Sequence, residues 1–318
     1  MIFTNKLGLP SAISAAIMNS PYTKMAADFS VTELLQPPQI SSLLTTHDAI
    51  LEVDVSDEIF KLLGSSVHTI LERAASEDHS TLAETILLQE FEGTLLKGQT
   101  DSLCLATNKL QDFKVTTVWK FTSDDNLPDD WFWQQNIYAW MLRKKGFKVE
   151  TAEIVGILRD WSKPESLRTA NYPPQQVAIA SVTLLPDAEV EEFLRKRIAE
   201  HRAAKSGKPR PCTPEERWMR SEVWAVTKTG NVRATAILDT EAEAKAKVLE
   251  LTTLKPKDKY EIQHRPGAPV RCQMYCPVSR YCTQYRSLLD QPLTRKKPDE
   301  DAQPGVVHEA SVQPSDTE

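Results

Sequence analysis

Residues 95–105 read LLKGQTDSLCL and residues 110–116 read LQDFKVT, with a polar turn at 107–109 between them. Both runs have the apolar content of strands, and a tight polar turn between two such runs predicts antiparallel pairing. Asp112 and Lys114 stand two apart, so they project from one face of their strand. Asp101, on the preceding strand, can face them. Two carboxylates and an ammonium on one sheet face are costly in a core. They become useful where the carboxylates hold a hard divalent cation through oxygen. A lysine beside such a cation can orient or deprotonate an attacking water and offset charge on a phosphorane. Taken alone, Asp-x-Lys on a strand is usually a surface ion pair, so its surroundings decide.

Outward from this pair, residues 84–92 (ETILLQEFE) form a further expected strand, ending at Gly93. Before it, residues 56–75 predict a helix capped by Ser56, with Asp57 and Glu58 at its positive end and an apolar stripe of Ile59, Leu63, Val67, Ile70 and Leu71. Downstream, an aromatic-rich helix is expected over 129–145, stopped by Gly146, and then a strand over 149–159. The order is helix, three strands, helix, strand, which makes the chain an α/β protein. A strand near 176–185 and an amphipathic helix over 187–205 follow, then the linker SGKPRP. A small α+β module comes next: VWAVTK, the turn TGN, VRATAIL, a helix over 240–251, and YEIQH.

The run Gly98-Gln-Thr-Asp101, then Asp112-Phe-Lys114, then Gln134-x-x-x-Tyr138 resembles the RecB-like branch of the PD-(D/E)XK nuclease superfamily. Gly64-Ser-Ser-Val-His68 resembles the histidine motif of the same branch. The likeness covers roughly residues 55 to 160, and rests on four motifs in the right order and spacing. It implies a restriction-endonuclease-like αβββαβ core. His68, Asp101, Asp112 and the Phe113 carbonyl would ligate Mg²⁺ or Mn²⁺, and Asp101, Asp112 and Lys114 would form the reaction centre. Gln134 and Tyr138, four apart on one helix face, would contact DNA or brace the site. Glu84 stands as a lesser acidic candidate. Thr100 departs from the apolar residue that many relatives carry before the aspartate.

Five cysteines in an expected cytoplasmic chain argue against a disulfide framework. Cys104 lies in an expected core strand and reads as a small apolar residue. Cys272, Cys276 and Cys282 crowd together, and Cys212 is the natural fourth ligand, so that a metal would clasp the module between them. Related nucleases of the AddB and CRISPR-associated-exonuclease kinds carry a [4Fe–4S] cluster on four cysteines. Here the first cysteine follows the core instead of preceding it, and the spacings differ, so zinc stays open as the alternative.

The net charge of −6 resides in the end of the chain. Asp299, Glu300, Asp301, Glu309, Asp316 and Glu318 contribute six negative charges with no Lys or Arg after Pro298, leaving the rest neutral. A local basic face is what DNA requires, and Arg195, Lys196, Arg197, Arg202, Lys205, Lys208 and Arg210 supply one candidate, with a solvated helix surface as the ordinary reading. No apolar run is long enough for a membrane span and no secretory signal pattern is present, so the expected location is cytoplasmic, or the host cytoplasm for a viral protein. The expected divisions are residues 1–50 as an N-terminal extension, 51–206 as nuclease core, 207–290 as cysteine-bearing module and 291–318 as a disordered acidic tail. The expected activity is that of an exonuclease in DNA recombination, repair or processing. Without a P-loop motif it would act on ends, single strands or the product of a helicase or recombination partner. The competing class is a non-catalytic DNA-binding or assembly subunit that keeps the fold.

Overall fold

The structure is a computed structural model that describes residues 1–19, 27–76, 80–122 and 127–289. The acidic tail expected over 291–318 lies outside the described residues. The chain opens with β1 (Ile2–Thr4), α1 (Ser11–Met18), β2 (Phe29–Ser30), α2 (Val31–Leu35), α3 (Pro38–His47) and β3 (Glu52–Asp54). There follow α4 (Ile59–Ser76), β4 (Thr81–Phe91), β5 (Thr94–Cys104), β6 (Lys109–Thr116), α5 (Trp119–Thr122), α6 (Asp129–Lys144) and β7 (Thr151–Leu158). Next are α7 (Lys163–Arg168), β8 (Val177–Val182), α8 (Asp187–Lys205) and β9 (Met219–Arg220). The last elements are β10 (Val223–Lys228), β11 (Ala236–Leu238), α9 (Glu241–Leu254), β12 (Tyr260–Arg265), β13 (Ala268–Pro269) and α10 (Thr283–Leu289).

Two compact units result. Met1–Ser221 and Gly267–Cys282 form the first, and Glu222–Pro266 with the described residues from Thr283 forms the second. All four clustered cysteines therefore belong to the first unit. The second holds an antiparallel sheet in the order β11-β10-β12 and α9, whose start is fixed by a capping box between Thr240 and Glu243. VRATAIL contributes only the three-residue β11, because the segment before it turns instead of pairing.

The first unit is built on a mixed sheet in the order β2-β5-β6-β7-β8, with β4 on the other side of β5. β4 and β5 pair antiparallel from end to end except at Glu84 and Asp101, while β6 and β7 run parallel through eight residue pairs. Against β6, β5 pairs only through Ser102–Cys104, and nearer its start it takes β2 in parallel at Leu96 and Lys97. The stretch 98–101 of β5 is thus left at a parting between β2 and β6. β2 had no signal in the sequence, since two residues show no period.

α6 is the central helix. Gln135 through Leu142 are all buried, and Ile137, Trp140 and Met141 pack with Leu96, Leu103, Leu110 and Ile154 of the sheet and Leu194 of α8. From Ile137 to Leu142 the helix is apolar apart from the Tyr138 hydroxyl, as a segment covered on all sides requires. It ends as expected, with Gly146 at φ +89 where a side chain would be strained. α4, by contrast, has no buried residue among those whose side chains are described and lies against β4 and β6. Its start corrects the expectation at Ser56: the Asp54 carboxylate accepts from the Ser56 N–H, and a 3₁₀ turn over Val55–Glu58 leads in. Asp54 is the better cap because its carboxylate also takes the Lys6 N–H and the Thr4 hydroxyl, tying β1 to the helix start.

Candidate functional site

The parting between β5 and β6 collects the polar side chains. Asp101 lies where the ladder has opened, and its Oδ2 accepts from the Phe113 N–H at 2.7 Å, replacing the missing backbone partner. On the neighbouring strand β4, Glu84 stands opposite Asp101, and the backbone pairing skips this one position while holding on either side. Glu84 has φ +44, a left-handed conformation that a non-glycine residue in a strand adopts at a cost of about 1–3 kcal/mol. That turn leaves its carboxylate 3.1 Å from Nδ1 of His68 on α4, with the other oxygen accepting from Gln99 at 2.7 Å. His68 Nδ1 is 3.6 Å from Asp101 Oδ1, and its Nε2 is 3.1 Å from the Phe113 carbonyl oxygen.

His68, Glu84 and Asp101 each offer a ligand atom within 4.8 Å of the others. Asp112 does not belong to that tight group. Its carboxylate, 1% exposed, faces Lys114 instead, at 3.0 Å from Oδ1 and 2.7 Å from Oδ2. The Oδ2 contact is an ion pair without hydrogen-bond alignment, so this buried oxygen keeps an unused lone pair. Lys114 also donates to Gln134 Oε1 at 2.9 Å, and Gln134 donates to the Tyr138 hydroxyl at 3.1 Å. α6 can bring Tyr138 this close because Gly98 carries no side chain. A Cβ there would lie 3.0 Å from both the Tyr138 ring and the Met141 sulfur. Thr100, which precedes Asp101, is fully buried on β5.

The electrostatics follow from burial and crowding of like charge. Burial, and then the Asp112 charge, push the Asp101 carboxyl above the ordinary carboxylate range. His68 moves up chiefly through its hydrogen bond to Glu84, against the opposing effect of burial. Both of its nitrogens face acceptors, and a metal ion would take the place of the proton between Nδ1 and the carboxylates. Burial raises the Tyr138 hydroxyl well above its usual value, so it acts as a neutral hydrogen-bonding group. The site thus gathers three carboxylates against one lysine and one imidazole, a balance that a divalent cation would restore.

Glu84, a lesser candidate from its place in the sequence, is a full member of this group. Its signal is the left-handed φ opposite Asp101, a property of the fold. Five of the seven residues of the basic face expected on and just after α8 are engaged in internal contacts. Arg195 pairs with Glu92 at 2.6 Å, Arg197 is buried against Leu34 O and Glu200, and Arg202 donates to Thr94. Lys205 donates to Asp28 O, and Arg210 pairs with Glu216 and Glu200. These cations hold the first unit together because α8 packs across it.

The second cluster contains Cys212, Cys272, Cys276 and Cys282. Cys272 and Cys282 are buried, and Cys212 and Cys276 flank the small core of Ile40, Leu51 and Val278. Gln39 of α3 joins them, its amide donating to Cys282 Sγ at 3.3 Å and accepting from the Cys212 N–H at 3.0 Å. His47 stacks on Tyr281 at 4.1 Å. α3, from the region left unassigned by the sequence, thus forms one wall of this cluster. Burial, with the charges of Glu216 and the neighbouring cysteines, pushes the Cys212 thiol up to about 12, and burial also raises Cys272 and Cys276. Buried thiols with raised pKa values ionise together only beside a compensating cation.

No family model matches this chain, and no curated protein matches it. Among solved structures it is similar to the protein designated SSO0001 at 18% identity and a TM-score of 0.42, over 59% of this chain and 83% of that one. A protein from Eubacterium rectale named as an exonuclease is similar at 19% identity and a TM-score of 0.29, over 48% of this chain and 56% of that one. A phage-related exonuclease from Haemophilus somnus 129PT is similar at 12% identity and a TM-score of 0.25, over 62% of this chain and 78% of that one. No described helix is long and apolar enough to cross a membrane.

Proposed function

We propose that the chain is a divalent-metal-dependent deoxyribonuclease of the PD-(D/E)XK kind, RecB-like branch, acting from DNA ends. The observation that carries this reading is the meeting of His68, Glu84 and Asp101 beside the Asp112–Lys114–Gln134 chain, where the central sheet parts. A structural ion pair needs neither three carboxylates nor a strained Glu84. The donor set is rich in carboxylate oxygen with one imidazole, which suits Mg²⁺ or Mn²⁺. His68, Glu84, Asp101 and the Phe113 carbonyl would hold the ion, with Asp112 lending its unused oxygen. Such an ion lowers the pKa of bound water and neutralises charge on the phosphate. Asp112 and Gln134 fix the Lys114 ammonium, which then orients the water and donates to a non-bridging phosphate oxygen. Tyr138 fixes Gln134 in turn.

The four cysteines are assigned to a metal centre, a [4Fe–4S] cluster before zinc. The preference for the cluster rests on the likeness of three grouped cysteines to those nucleases that carry one, and zinc is the alternative ion for the same four thiolates. Its role would be structural, with Gln39 hydrogen-bonding a ligand sulfur.

The test is degradation of end-labelled linear and circular DNA with Mn²⁺, by wild type beside Asp112→Ala and Lys114→Ala. Loss of linear DNA with wild type alone, circles spared, is expected. Failure of anaerobically purified wild type on every strand form would favour the non-catalytic binding subunit. Iron and zinc content, and the brown colour of a cluster lost in Cys212→Ala, test the second assignment without reference to activity.

A further inference from the structure

Four side chains beside the proposed reaction centre take no part in it. Two follow β6 directly. In α5, Phe121 lies over Gly156, where any Cβ would collide with its ring, and Val118 just before it is buried. The Val118 N–H donates to Asp160 at 2.8 Å, which locks this turn to the end of β7. With Val118 and Phe121 turned inward, Trp119 is turned out and 64% exposed. Tryptophan is ordinarily among the well-covered side chains. Lys120 stands over this indole, its Nζ 5.2 Å from the ring centroid.

The other two lie across the same turn. The Arg159 N–H donates to Thr116 O at 2.9 Å, and its guanidinium lies 3.6 Å from the centroid of the Phe60 ring on α4. Phe60 is 59% exposed. Neither Lys120 nor Arg159 pairs with a carboxylate among the described residues, whereas Arg195, Arg197 and Arg210 are each held in an ion pair. The group is near the site by two routes. Trp119 follows Lys114 by five residues, at most about 17 Å of chain. Phe60 precedes His68 by eight residues on α4, about 12 Å along the helix axis.

We propose that Trp119, Lys120, Arg159 and Phe60 form a platform for single-stranded nucleic acid that leads the strand to the reaction centre; the direction of travel rests on the nuclease reading. Exposed ring faces stack on unpaired bases of any sequence, and cations beside them follow the phosphates. A duplex hides its base faces from such rings, so the platform selects single strands or frayed ends.

The experiment is fluorescence anisotropy of labelled oligothymidine with the full chain in chelator, so that binding is read without cleavage. Trp119→Ala is expected to weaken binding about 5- to 150-fold, the range of one lost stacking contact. Trp119→Phe keeps most of the affinity, and an abasic strand of equal length shows no difference between wild type and Trp119→Ala. Lys120→Ala and Arg159→Ala each reduce the slope of log affinity against log salt by about 0.7. Unchanged oligothymidine binding by Trp119→Ala, or equal competition by duplex, overturns the platform while Mn²⁺-dependent cleavage by wild type keeps the nuclease reading. Absence of both binding and cleavage in folded wild type overturns the two together.

Discussion

Gly98→Ala puts the packing behind the site to a quantitative test. The new methyl would sit 3.0 Å from the Met141 sulfur and 3.0 and 3.2 Å from two carbons of the Tyr138 ring. Met141 is fully buried and Tyr138 is 3% exposed, so neither has room to withdraw. Overpacking of this kind costs about 1–3 kcal/mol. Alanine recovers about 0.5–1 kcal/mol of that, because glycine is the poorer residue in a strand interior. The net expectation is a loss of about 1.5 kcal/mol, read as a lower urea midpoint with unchanged slope. A second effect follows from the hydrogen-bond chain. Displacing the Tyr138 ring moves the partner of Gln134, and through it Lys114, so cleavage should fall beyond what the lost stability explains. Met141→Ala removes one of the two close contacts, and in that background the penalty should shrink. A Gly98→Ala variant that is more stable than wild type and cleaves equally well would refute the argument.

Glu84→Gly should be more stable than Glu84→Ala by about 1 kcal/mol, because only glycine tolerates φ +44 without strain; urea melts of the two variants compare them, and both should lose Mn²⁺-dependent cleavage. Lys114→Met strips the buried Asp112 of its partner and should cost about 3 kcal/mol at neutral pH, much of it recovered in Lys114→Met/Asp112→Leu, as a double-mutant cycle would report. His201 is 1% exposed, and burial together with the nearby Arg197 charge lowers its pKa to about 4. The unfolded chain binds the extra proton between about pH 6.5 and 4, so stability is full above this window and declines through it by about 3 kcal/mol. His201→Gln should flatten that part of the pH–stability curve, and equal slopes in both proteins would contradict the assignment.

Much of the fold was present in local pattern. Helix, strand and turn periodicities found α6, α8 and the three antiparallel strands within a few residues of their observed limits, because each signal is carried by neighbours in sequence. α8 runs over Asp187–Lys205 as expected, and β10 coincides with VWAVTK. The Asp112–Lys114 spacing already implied one shared face, and four-residue spacing on a helix already aligned Gln134 with Tyr138. What local pattern could not supply was the state of each polar group once elements met. Seven basic residues on and just after α8 read as a DNA-facing surface, yet most of them hold internal partners, because charge in a sequence carries no information on what it pairs with.

The α/β character, the order of the elements and the candidate residues were legible from spacing along the chain. The tertiary structure alone decided which of them meet. β5 parts from β6 because β2, from far upstream, takes the other portion of its edge, and that parting is what aims Asp101 at the Phe113 N–H. Glu84 joins His68 only through a left-handed backbone turn that the surrounding sheet enforces. Gln39 reaches Cys282 across 243 residues. Such contacts arise from long-range packing, where the cost of closing the chain is met by burial elsewhere, and no local pattern records them.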